Sequence, residues 1–158
     1  MGAFQRMHHT GFTVTDLDRS IAFYRDRLGC ELVMRQEKRG GYLAAIVGYP
    51  DAHVKMAHLR LRGGGHIIEL FEYLSPAPEP VMPEPRRVGN AHVCFLVDDL
   101  RATYERLRAQ GVDFVSPPVE VDTGVNRGAL GLYLRDPDGI TVELLQRAPG
   151  KNVASGAG

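Results

Sequence analysis

At 158 residues, with 44% hydrophobic and 24% charged side chains, the chain is long enough to bury a core and has an ordinary globular make-up. Its 19 basic and 19 acidic residues cancel to a formal net charge of zero, which argues against nucleic acid and against an anionic membrane surface as partners. Met1–Arg6 has no apolar signal core, no run approaches a membrane span, and Cys30 and Cys94 lack metal spacing and sit in apolar settings; a cytoplasmic protein with free, buried thiols is expected.

In chain order, Met7 to Val14 predicts a strand, and Asp16 then caps a helix that runs to about Leu28. Glu31 to Glu37 reads as a strand. Tyr42 to Gly48 is open between a strand and a short helix, because so short an apolar run has no decisive period. Tyr49-Pro50-Asp51 turns the chain, and strands are expected from Lys55 to Leu61 and from His66 to Tyr73, joined by the glycine-rich turn 62–65. Five prolines between Pro76 and Pro85 forbid regular structure and mark a connector. A strand over 91–97, a helix over 99–110 and a strand over 112–116 come next. Beyond Pro117-Pro118 the segment Gly124 to Gly128 reads as mobile, and strands at 129–135 and 140–146 flank the Asp138-Gly139 hairpin turn. The small, polar tail after Arg147 is expected to be flexible.

The two halves repeat. His9 precedes Asp16-Leu17 as His92 precedes Asp99-Leu100, and 92 − 9 gives an offset of 83. At the same offset Leu17, Ile21 and Tyr24 become Leu100, Tyr104 and Leu107, one apolar helical face, and Gly29 and Gly111 stop the two helices. The fold expected is α+β: two tandem βαβββ modules, 7–74 and 91–147, joined by a proline-rich connector at 75–90 and followed by a tail at 148–158. A module this small cannot cover both faces of its sheet, so the two are expected to pack around a shared, partly open, barrel-like concavity of mixed strands.

Each half also places a carboxylate inside the apolar run of its last strand, Glu69 and Glu143. Taken out of water, a carboxylate is costly unless paired or metal-bound. His9 with Glu69 and His92 with Glu143 recur at matching places, 60 and 51 residues apart. Two neutral imidazoles and two carboxylates would neutralise one divalent ion, and six-coordinate binding would leave positions for substrate. Taken singly, each histidine reads equally as a hydrogen-bonded core residue and each glutamate as a solvated one; the duplication is what favours a site. His8 alternates with His9 and should face the other way. His53, His58 and His66 have no counterpart in the repeat and read as structural or exposed. Arg127, between two glycines of a lid-like loop, is a candidate clamp for an anionic group of the substrate, and Tyr133 a candidate cavity-lining residue.

The stretch His-x-Gly-x-x-Val-x-Asp-Leu-x-x-Ser-x-x-Phe-Tyr-x-x-x-Leu-Gly, from His9 to Gly29, resembles the opening module of the vicinal oxygen chelate superfamily. That group contains glyoxalase I, methylmalonyl-CoA epimerase, extradiol dioxygenases and the fosfomycin and bleomycin resistance proteins. Asp136 to Leu144 is similar to its closing strand. The resemblance implies His9, Glu69, His92 and Glu143 as ligands of one divalent ion (Zn, Ni, Co, Mn or Fe). It also implies Glu143 as the base of a glyoxalase I-like or epimerase-like isomerase or lyase, acting through a metal-stabilised enolate on a small carbonyl or thioester substrate. Such sites form within one chain or between two copies, so a homodimer is one arrangement the resemblance allows. A drug- or natural-product-binding resistance protein and a single-domain extradiol dioxygenase are the alternatives. Thr13 and Tyr73 replace the arginine and asparagine that hold glutathione in bacterial glyoxalase I, which speaks against glutathione. No carboxylate stands where the epimerase has its second acid–base group; Glu37 and Asp51 flank that place.

Overall fold

The computed structural model describes residues 6–79 and 81–150; the start of the chain and the expected flexible tail from 151 onward lie outside them. The contacts divide the chain into two compact units, Met1–Val81 and Met82–Gly158. The first unit runs β1 (His9–Thr13), α1 (Leu17–Ala22), β2 (Cys30–Arg39), α2 (Gly41–Val47), β3 (His53–Leu61) and β4 (Ile67–Ser75). Its sheet has the order β1-β4-β3-β2, with β1 parallel to β4 and the other pairs antiparallel. The second runs β5 (His92–Leu96), α3 (Leu100–Ala109), β6 (Asp113–Phe114), β7 (Val119–Glu120), β8 (Leu130–Arg135) and β9 (Thr141–Gln146). Here the order is β5-β9-β8-β6, β7 also pairs with β8, and β5 is parallel to β9. The fold is mixed α+β, with two sheets and no closed barrel.

The repeated helix starts follow from local chemistry. Asp16 and Asp99 each accept a hydrogen bond from the backbone N–H three residues on, Arg19 at 3.0 Å and Ala102 at 2.9 Å. The last strand of each sheet supplies a second cap: Leu17 N–H donates to Glu72 Oε2 (3.0 Å), and Leu100 N–H to Gln146 Oε1 (2.8 Å). Gly29 and Gly111 both sit at φ 77°, the left-handed backbone that closes a helix and that other residues rarely adopt. The first helix reaches its glycine through a wider π-helical turn, Phe23–Arg27, in place of the α-helix expected to Leu28.

One face of each sheet is the core. Leu17, Ile21 and Tyr24 of the first helix and Ala57, Leu59, Ile68 and Leu70 of its sheet are at most 4% exposed. In the second unit Leu100, Leu107, Leu132, Leu134, Val142 and Leu144 are equally buried. Each such leucine contributes about 1.5–3 kcal/mol over an exposed one, which fixes which face of the sheet is covered. By the two-residue alternation of a strand, the opposite faces carry His9, Glu69, His92 and Glu143.

The halves also differ in two segments besides that π-helical turn. The segment left open between strand and helix is helix α2, entered through Gly40 and Gly41 and capped by Gly48, and its Leu43 is buried with Val54 and Met56. In the second half the strand expected over 112–116 shortens to β6 (Asp113–Phe114), and beyond Pro117-Pro118, which lack the N–H a ladder requires, an unexpected short strand, β7, pairs with β8.

Candidate functional site

Strand register builds the same pair twice. On β1, Gly11 is the partner of Glu69 on β4; on β5, Cys94 is the partner of Glu143 on β9. His9 and His92 lie two residues earlier on the same face, so each glutamate reaches its histidine. His9 Nε2 stands 3.2 Å from Glu69 Oε2, and His92 Nε2 stands 3.1 Å from Glu143 Oε2. The histidine side chains are 41% and 44% exposed, the glutamates 13% and 24%, so each pair opens outward from the covered base of a carboxylate.

These atoms suit a divalent ion. Ligands about 2.1 Å from a common ion, at tetrahedral or octahedral angles, lie roughly 3.0–3.4 Å apart, and both nitrogen–oxygen separations fall in that window. The donor set is nitrogen and carboxylate oxygen, and in one tautomer His9 donates its Nδ1–H to His8 Nδ1, 2.8 Å away, leaving Nε2 with the lone pair a metal needs. Among the described residues no group of three or more His, Cys, Asp or Glu side chains forms a metal site, so each unit by itself offers a two-ligand pair.

Several neighbours depart from the sequence reading. His8 precedes the strand instead of alternating along it, and its ring meets that of His9 edge-on at 5.1 Å. His58, read as structural or exposed, is the register partner of Glu69, and its Nε2 donates to Glu69 Oε1 at 2.6 Å. Its counterpart in the second unit is Tyr133, the register partner of Glu143, with its ring 5.3 Å from that of His92. The signal for His58 was the alternation of β3, but its partner depends on a register that no periodicity reveals. His53 is bound to Glu37 at 2.6 Å and His66 to Thr10 at 2.8 Å, both outside this cluster. Cys30 is buried as expected; Cys94 is exposed, because β5 turns it to the open face. Desolvation pushes the Cys94 thiol up to about 12, and the charge of Glu143 beside it acts in the same direction. Tyr133 is raised for the same two reasons, desolvation first and the Glu143 charge second.

A hollow of about 250 Å³ lies against Glu143 and Tyr133, walled by Val115, Val119, Val121 and Gly131. In the first unit a hollow of about 500 Å³ is lined by Thr13, Tyr49, Tyr73 and the segment Pro76, Ala77, Pro78 and Glu79. Thr13 and Tyr73 share the sheet face of His9 and Glu69, four residues further along their strands. Arg127 sits on the exposed loop between β7 and β8, where its N–H donates to Gly124 O at 3.2 Å, and it is not part of the wall beside Glu143.

A sheet-and-helix unit present twice, with one histidine and one glutamate on the open face of each sheet, defines the class. The family model of the Glyoxalase/Bleomycin resistance protein/Dioxygenase superfamily matches residues 6–144, and the chain belongs to that superfamily. It is 32% identical over 148 residues to a 2-epi-5-epi-valiolone epimerase of an Actinomyces species, covering 91% of this chain and 80% of that protein. It is 33% identical over 151 residues to a lactoylglutathione lyase of Pseudomonas aeruginosa, covering 88% and 81%. Among solved structures, a glyoxalase family protein from Bacillus cereus superposes with a TM-score of 0.80 at 25% identity, covering 93% of this chain and 97% of that one. No helix among the described residues is long and apolar enough to cross a membrane.

Proposed function

We propose that this protein is a metal-dependent isomerase or lyase that moves a proton on the carbon next to a carbonyl group of a small substrate. The observation that carries the reading is the His–Glu pair built twice by the same strand register, at nitrogen–oxygen separations of 3.2 and 3.1 Å. His9, Glu69, His92 and Glu143 would together hold one divalent ion with no net charge left over. Such an ion supplies Lewis-acid polarisation of the substrate carbonyl, which lowers the cost of removing the neighbouring proton.

The rest of the chemistry belongs to the protein's own groups. Glu143 is the base, since it faces the mostly apolar hollow beside Tyr133, where a substrate can bring its carbon next to the carboxylate. It takes the proton from one carbon and returns it to the adjacent carbon or to the other face of the same one. The thiol of Cys94, raised to about 12, stays protonated at neutral pH, so it stands beside Glu143 as a neutral group and not as a nucleophile. The larger hollow bears on the substrate. Among the described residues its lining holds one carboxylate, Glu79, and no cation to pair with the carboxylates of a glutathione adduct. A carbonyl or thioester substrate without that anionic arm fits better, and the epimerase relative supports the same direction.

Metal analysis of the purified protein tests the site. About one divalent ion per His9/Glu69/His92/Glu143 set is expected, falling sharply in His9→Ala and in His92→Ala. Full retention of metal in both variants would overturn the ligand set. Turnover is tested by proton–deuterium exchange in deuterated water with 2-oxoaldehyde hemithioacetals, acyl-CoA thioesters, 2-epi-5-epi-valiolone and catechols. Tight binding with no exchange in any of them would make this a sequestering protein.

A further inference from the structure

The two candidate ligand carboxylates are held differently. Glu69 lies between two imidazoles, His9 on Oε2 at 3.2 Å and His58 on Oε1 at 2.6 Å, with their rings nearly parallel at 23°. An ionised carboxylate only accepts, so in the short contact the hydrogen belongs to His58 Nε2. Glu143, at the matching place in the second unit, has Tyr133 in the position of His58 and Cys94 in the position of Gly11. Tyr133 turns its ring to His92, and the residue paired with Glu143 on β5 is Cys94, whose thiol is at best a weak donor. A Cβ at Gly11 would lie at ordinary contact distance, 3.7 Å, from Glu69 Oε2, and glycine puts no side-chain donor there.

We propose that His58 is a positioning residue: its Nε2–H engages Glu69 Oε1, so that Glu69 offers an ion a single, oriented oxygen while Glu143 stays free to turn between ion and substrate. This rests on the reading of the four residues as metal ligands. With one oxygen committed to His58, Glu69 neither chelates through both oxygens nor rotates away. Among the described residues Glu143 has His92 at 3.1 Å but no second imidazole on its other oxygen, which suits a group that carries protons. The duplicated scaffold thus supplies one fixed and one mobile carboxylate through the residue that stands opposite each on the neighbouring strand.

The experiment measures Zn²⁺ affinity of the metal-free protein by competition with a chromophoric chelator. The variants are His58→Leu, His58→Ala, His58→Gln and Tyr133→Phe, each checked for folding by circular dichroism. Losing the donor in His58→Leu and His58→Ala should weaken Zn²⁺ binding about 10- to 100-fold, the range seen when an outer hydrogen bond to a ligand is removed. His58→Gln, which keeps an N–H within reach of Oε1, and Tyr133→Phe should both stay within about threefold of wild type, well short of that loss. The glutamine rescue separates hydrogen bonding from packing. The His58 assignment is overturned if a folded donor-free variant binds Zn²⁺ as tightly as wild type, or if His58→Gln is as weak as His58→Ala. The two donor-free variants are read independently, so failure of one to fold leaves the other decisive. A wild-type protein that binds no Zn²⁺ would instead defeat the metal reading itself, a different result from equal, tight binding by wild type and variant.

Discussion

Removing the strand-borne helix caps, Glu72 and Gln146, gives a graded stability series. Glu72 Oε2 accepts the N–H of Leu17, a residue with no exposure, and Glu72 Oε1 accepts from Lys55 Nζ at 3.1 Å. Glu72→Leu therefore strands a buried N–H, which costs about 1–3 kcal/mol, and a lysine whose side chain is 33% exposed, for which the lost ion pair adds at most about 1 kcal/mol. Gln146→Leu strands the equivalent N–H of Leu100 and no cation, so it should cost about 1–3 kcal/mol without the ion-pair loss. Glu72→Gln keeps an amide oxygen for Leu17 and loses only the charge, so it should stay within about 1 kcal/mol of wild type. With no tryptophan in the chain, urea unfolding is followed by far-ultraviolet circular dichroism and tyrosine fluorescence. The order expected is Glu72→Leu worst, Gln146→Leu next, Glu72→Gln mildest. A Glu72→Leu protein within about 0.5 kcal/mol of wild type, or a Glu72→Gln protein as unstable as Glu72→Leu, would refute the capping argument.

Glu143→Gln should abolish proton exchange into substrate while sparing substrate binding, and should lower the Cys94 thiol from about 12, because the carboxylate that helps hold it protonated is gone. Desolvation is the larger cause and remains, so the thiol stays above its ordinary value. Alkylation of Cys94 in the metal-free variant at pH 9 should be faster than in wild type, and an unchanged rate would remove Glu143 from the thiol's surroundings. Asp136→Ala deprives two backbone N–H groups, Asp138 at 2.9 Å and Ile140 at 2.8 Å, of their acceptor in the β8–β9 turn. A loss of about 2 kcal/mol in urea unfolding is expected, and a loss under about 0.5 kcal/mol would show that the turn holds without it. Arg127→Ala should reduce kcat/KM for anionic substrates while leaving metal content and melting temperature unchanged; a variant with wild-type kinetics on anionic substrates would make the β7–β8 loop a connector only.

The duplication of this protein is written in one dimension. Helix caps at Asp16 and Asp99, stops at Gly29 and Gly111, and the apolar faces of both helices are local features, set by side chains within a few residues of one another. The superfamily followed from these and from the turn around Asp138-Gly139. The pairing of His9 with Glu69 and of His92 with Glu143 was legible too, since a carboxylate in an apolar strand needs a partner and the same choice occurs twice.

What lay beyond the sequence was register and sidedness across strands. Whether His58 meets Glu69 depends on how β3 lies against β4, and sliding the pairing by one residue would turn it to the opposite face. Cys94 looked buried because its neighbours are apolar; only which face of its sheet is covered decides that Phe95 goes in and Cys94 out. Tyr42 to Gly48 had no period of its own, and its helix exists because Leu43 finds Val54 and Met56, residues distant in the chain. Local chemistry can name the elements and the two charged pairs, but the neighbours that distinguish Glu69 from Glu143 arrive from other strands, and tertiary packing alone selects them.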